Sequence, residues 1–249
     1  MYEKNKVAQI TLLFWLMKII ATTLGETFGD FLSMTVNLGY SVSLGITVLA
    51  FLLVLVIQLR SKTYIPVIFW LVIIATTTLG TEISDFIDRS LHLGYTAGSI
   101  LLLSCLILTL FIWHRKFKNL EVYPIVNNKR EMFYWIAILF SNSLGTAFGD
   151  YLSDVAGLSY LEGALVTAGV IAVVILLHYN TKLNEVLLFW LAFVFTRPFG
   201  ATFGDFLTKP AAKGGLDLGT VPASLVAMIV LTILVLVAHR QEKNKKTLG

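Results

Sequence analysis

Six carboxylates stand inside runs of residues that are otherwise apolar, and their setting recurs. Glu26 and Asp30 close the first run as LGETFGD, and Glu82 and Asp85 close the second as LGTEISD. Asp150 and Asp205 close the third and fourth as LGTAFGD and FGATFGD. Thr22, Thr77 and Asn142 precede them in the same runs and add hydroxyl and amide oxygens. A set of oxygen donors suits hard cations such as Mg²⁺, Mn²⁺, Na⁺ or H⁺. Glu26, Asp30, Glu82 and Asp85 are the candidate metal ligands, and all six carboxylates with the three neutral oxygens are the candidate ion pathway. Lys18 and Arg197 are cations within the same runs. They either pair structurally with the acids, as Arg197 with Glu26 or Glu82, or act as internal cations that occupy the site when a substrate leaves. A charge near mid-bilayer costs roughly 2.5–3.5 kcal/mol even on insertion scales, so such residues need a partner or a pathway.

The elements that position these groups must be membrane helices. The chain has 249 residues, of which 57% are hydrophobic and 14% charged, and its mean hydropathy is +0.80. A globular protein is roughly 25% charged. Apolar runs of about 18 or more residues recur, each long enough to span a bilayer. Trp15, Trp70, Trp135 and Trp190 stand 55, 65 and 55 residues apart. Ten residues after each comes Gly25, Gly80, Gly145 or Gly200, and fifteen after each comes the motif aspartate. Each unit continues through a short loop into a second apolar run. This predicts an all-α, polytopic membrane protein with eight transmembrane helices, arranged as four parallel two-helix repeats.

The expected organisation is a first membrane half at 1–114, with repeats 7–58 and 64–114, then a basic linker at 115–130. A second half follows at 131–240, with repeats 131–180 and 185–240, and a tail at 241–249. Of the 19 Lys and Arg residues, 14 fall in the tails or between repeats, and only Arg89, Lys209 and Lys213 fall in the loops within repeats. The positive-inside rule then puts both termini in the cytoplasm and the motif loops outside. The net charge of +4 reflects this orientation, not nucleic-acid binding. The lone cysteine, Cys105, excludes an intramolecular disulfide and reads as a buried, inert thiol.

Offsets of 3, 7, 11 and 15 from each tryptophan share one helix face. In the first repeat that face reads Lys18, Thr22, Glu26, Asp30. The first helices should therefore surround an interior, as a ring or a two-plus-two bundle, with the apolar second helices outside toward lipid. Small residues pair at four-residue spacing as Gly25/Gly29, Gly80/Ser84, Gly145/Gly149 and Gly200/Gly204, which lets helices pack closely. The tryptophans read as packing wedges or an interfacial belt, and the aspartates as ligands or helix caps. Only the fourth repeat has Arg197 followed by the helix-breaking Pro198.

The four tryptophan-marked two-helix repeats resemble a family of bacterial membrane proteins defined by four tandem copies of a repeat of unknown function. The likeness runs from about residue 7 to 240 and implies architecture without an activity. It places the protein in a bacterial cytoplasmic (inner) membrane. The Gly-Asp elements also resemble the Glu-x-Gly-Asp motif of small cation/proton exchangers, though in a different order and without the Glu in repeats three and four. The expected function is a transporter or exporter of a small hard cation, coupled to protons, acting as a monomer or homodimer. A passive cation pore and a non-transporting scaffold are the alternatives. No enzyme motif is present, and no cofactor or nucleic-acid partner is expected.

Overall fold

The computed structural model describes residues 5–248, with side chains to 244. Eight helices are long and apolar enough to cross a membrane. They are α1 (Leu12–Asp30), α2 (Tyr40–Arg60), α3 (Pro66–Asp85), α4 (Tyr95–Phe117), α5 (Asn128–Asp150), α6 (Tyr160–Asn180), α7 (Glu185–Thr208) and α8 (Thr220–Leu248). The chain is an integral membrane protein of four two-helix repeats. Local chemistry sets the helix starts. Thr11, Asn127 and Asn184 accept backbone N–H bonds at the first turns of α1, α5 and α7, and Pro66 opens α3 where its missing donor costs nothing.

In the first three repeats the motif aspartate ends the α-helix and one π-helical turn follows, at Phe31–Thr35, Phe86–Ser90 and Tyr151–Val155. The widened turn is closed by i→i+5 bonds such as Val36 N–H to Phe31 O at 2.8 Å. The chain then reverses through Gly39 and Gly94 at φ of 72° and 76°, a region that favours glycine, to begin α2 and α4. The fourth repeat has no such turn; its α-helix runs on to Thr208 before the inserted loop.

The odd helices form a closed ring in the order α1, α3, α5, α7 and back to α1, and the diagonal pairs hardly touch. The even helices lie outside, with leucine, valine and isoleucine exposed along their length. Each even helix packs on the first helix of the following repeat: α2 on α3, α4 on α5, α6 on α7, and α8 on α1. The basic linker therefore divides the chain without dividing the packing. At the end that carries both termini, backbone bonds tie Lys6 to Ile125 and Tyr64 to Asn5. There a buried Lys6–Glu131 pair is completed by Gln58, whose Nε2 donates to Glu131 at 2.7 Å.

Glycine holds the ring closed. A Cβ placed on Gly25 would lie 2.4 Å from Thr77, one on Gly80 2.9 Å from Asn142, one on Gly145 2.3 Å from Arg197, and one on Gly200 2.3 Å from Thr22. In each contact the residue at offset 7 of one repeat enters the glycine notch of the repeat before it, around the full circle. The second glycines repeat the contact with offset 11: Gly29 meets Thr81, Gly149 meets Ala201, and Gly204 meets Glu26, each at 3.0 Å. One layer lower, Phe14 packs on Trp70, Phe69 on Trp135, and Phe189 on Trp15, at ring separations of 5.7, 5.4 and 5.7 Å. The tryptophans thus act as wedges between neighbouring first helices. Gly25→Ala should destabilise the fold by ~1–3 kcal/mol, because the Thr77 side chain and backbone carbon block the new methyl. Gly45→Ala, with nothing within 4 Å, should leave the melting temperature unchanged or raise it. Thermal melts in lipid nanodiscs read both.

Candidate ion pathway along the bundle axis

Four layers of buried side chains stack along the ring axis, about 6 Å apart at four residues per step. From the terminus end they are Lys18, Ile73, Ile138, Phe193; then Thr22, Thr77, Asn142, Arg197; then Glu26, Thr81, Thr146, Ala201; then Asp30, Asp85, Asp150, Asp205. The expected polar stripe faces the interior in every repeat.

In the middle layers two long cations cross the diagonals that the helices leave open. Lys18 Nζ, on α1, donates to Asn142 Oδ1 of α5 at 3.0 Å and stands 4.1 Å from the centre of the Phe193 ring. Arg197 is on α7, and its Nη2 reaches the offset-11 residue of each other repeat. It donates to Glu26 Oε2 at 2.8 Å, Thr81 Oγ1 at 2.7 Å and Thr146 Oγ1 at 2.6 Å. Ala201 stands in that layer on α7 itself, so a large side chain is missing beside the guanidinium. Pro198 follows directly and removes a helix donor at this point. Of the two expected structural pairings, Arg197 with Glu26 forms. Thr22 and Thr77 serve packing more than ligation: Thr77 Oγ1 donates to Ala21 O at 3.1 Å, and Thr22 Oγ1 to Ile19 O at 2.8 Å.

The aspartate layer is a ring of four acids bridged by two cations. Arg89 lies 3.3 Å from Asp85 and 3.3 Å from Asp150. It also donates to the hydroxyls of Tyr40 and Tyr95, at 2.8 and 3.2 Å. Lys209 lies 3.3 Å from Asp205 and donates to Asp30. Arg89 and Lys209 each stand four residues after a motif aspartate; Met34 and Asp154 hold that offset in repeats one and three. By position in the sequence both cations count only as loop charge. The signal was there, in the i,i+4 spacing of unlike charges on a helix. The aspartates make no side-chain cap at the turns that follow them, so ion pairing replaces the capping role.

Among the described residues, Glu26, Asp30 and Asp205 bring carboxylate oxygens within 4.8 Å of one another, close enough to share a cation. Glu82 and Asp85, expected as ligands beside Glu26 and Asp30, do not join this cluster. Asp85 lies with Arg89. Glu82 sits one residue past the stripe, an offset that meets the outer helices elsewhere. At the same offset, Thr27 accepts from Ser224 of α8 at 2.8 Å, and Thr202 packs against Gly163 of α6. Glu82 is fully buried, and neither carboxylate oxygen has a hydrogen-bond partner among the described residues.

Burial opposes the charge of Lys209, but Asp205 and Asp30 outweigh it and hold the ammonium protonated well above the ordinary lysine range. At about pH 9, where free lysines begin to lose their proton, an amine-acylating reagent should label exposed Lys62 and Lys182 and spare Lys209. Asp30→Asn should bring Lys209 labelling up toward theirs, read by peptide mass spectrometry. Equal labelling in the parent chain would contradict the pairing.

The sequence model of a family described as "Repeat of Unknown Function (DUF347)" matches four times, at residues 13–64, 68–119, 133–184 and 188–244. No curated protein and no solved structure gives a significant match.

Proposed function

The chain belongs to this four-copy repeat family, and from the geometry of its axis we propose that it is a membrane transporter of a small hard cation coupled to protons. The observation that carries this reading is the buried aspartate ring. Four acids share two cations, so with every group in its ordinary ionised form the layer is short of two positive charges. One divalent cation or two monovalent ions, protons included, would complete it. The four acids offer only carboxylate oxygens, which suit hard cations. Lys209 and Arg89 are 22% and 26% accessible in their side chains, whereas the acids they bridge are almost fully buried. An incoming cation would displace these side chains from the mouth of the ring.

Below the ring, Glu26 joins Asp30 and Asp205 to Arg197. A cation held by the three carboxylates competes with Arg197 for Glu26. Arg197 released from Glu26 turns about the weakened point at Pro198, and its return expels the cation. The guanidinium then plays the part of a tethered substrate, and Glu26 carries the exchanged charge. The distribution of basic residues supports both termini in the cytoplasm and an aspartate ring that opens outward.

The test is transport in sealed proteoliposomes across a panel of divalent and monovalent cations, with internal pH followed at the same time. We expect cation uptake against proton movement, reduced to the protein-free background in Glu26→Gln and in Asp30→Asn/Asp205→Asn. A flux that only dissipates gradients would identify a passive pore. No flux of any cation from folded protein would identify the paired charges as a scaffold.

A further inference from the structure

The axis has two compartments of opposite sign, and only the acidic one is explained by cation transport. Beneath the aspartate ring, Lys18 and Arg197 are each wholly buried, and Glu26 is the one acid that pairs with either. In ordinary ionised forms these three groups sum to one positive charge buried below the acid-rich ring, where desolvation is costly.

The donors are unsatisfied as well as the charge. A guanidinium carries five N–H bonds. Those on Nη2 meet Glu26, Thr81 and Thr146, while Nε and Nη1 have no acceptor among the described residues. Lys18 has three N–H bonds; its single hydrogen-bond acceptor there is Asn142 Oδ1, and one further side of it faces the Phe193 ring. Both groups project onto the axis, since each bridges a diagonal that the helix backbones do not. Water could accept these hydrogens but would leave the charge unbalanced.

We infer that the unpartnered donors between the Lys18 layer and the Glu26 layer form a binding site for a small monovalent anion such as chloride, bromide or nitrate. The ligand accepts from the free edge of the Arg197 guanidinium and from Lys18. The single positive charge of these layers favours a monovalent anion over sulfate, and the buried Ile73, Ile138, Phe193 and threonines that border them favour a small one over gluconate. The site adjoins the carboxylate cluster through the Arg197–Glu26 pair, but it requires no ion to cross the membrane.

The test uses the full chain in nanodiscs at fixed sodium concentration and fixed ionic strength, with gluconate exchanged for chloride, bromide or nitrate. The melting temperature should rise saturably with each small anion and not with sulfate. Lys18→Met should abolish the rise, while Asn142→Ala, which keeps both cations, should retain it. Should Lys18→Met fail to fold, ³⁵Cl line broadening by the unmodified protein, reversed by bromide, reads the same site without a variant. An identical response in folded Lys18→Met overturns the proposal. So does the absence of any anion-specific response, which would assign Lys18 the neutral amine form.

Discussion

The fold depends on how closely four helices approach at their glycines. Inside a bilayer the hydrophobic effect offers no reason for one apolar helix to prefer another over lipid. Association rests on close packing and on hydrogen bonds between helices. Here both come from one contact used four times. The notch at Gly25, Gly80, Gly145 or Gly200 admits a side chain from the next helix, and the approach brings backbone carbonyls within reach of hydroxyls. Thr77 on Ala21 O and Thr81 on Gly25 O show the result. Once that approach is fixed, the same face of every helix points at the axis, and any long side chain on it must cross the centre.

Symmetry belongs to the packing, and chemistry lives where symmetry fails. The glycine notches obey a four-fold rule, yet Lys18, Glu26 and Arg197 each occur once in their layers. The aspartates obey it too, but the cations that bridge them occur only in repeats two and four, so the ring has two-fold character. A single guanidinium can touch three repeats because its own repeat contributes only Ala201 to the layer above. Such departures cost desolvation energy, which in the case of Arg197 is offset in part by hydrogen bonds to three neighbouring helices. The buried carboxylate of Glu82, with no hydrogen-bond partner among the described residues, belongs with them.

Much of this was legible before any coordinates. The tryptophan, glycine and aspartate periods mark eight helices and an inward polar stripe, because membrane helices keep one rotation over many turns. The Arg197–Glu26 pair was one of two pairings open to residues on a shared stripe. Neighbour relations were not legible. Nothing in a repeat says that its second helix will leave its own first helix for that of the next repeat, since both outer surfaces are uniformly apolar. That Glu82 stands outside the cluster of Glu26, Asp30 and Asp205 was not legible either: one residue is a rotation of about 100°, and the stripe alone does not say which carboxylates converge. Arg89 and Lys209 were hidden by sitting just beyond the apolar runs, where a π-helical turn or an extra helical turn carries them back over the ring.

The handing of each outer helix to the following repeat gives the polypeptide no natural first unit. The contact of α8 with α1 joins the two ends of the chain through space, as the contact of α2 with α3 joins neighbours along it. A chain started at any of the other inter-repeat loops, with the present termini connected, would enclose the same axis with the same side chains. A chain of only two repeats would carry an outer helix with no first helix left to cover, and a second such chain would supply one. With all four units in one polypeptide, by contrast, single residues such as Arg197 and Lys18 can stand on one side of the axis alone.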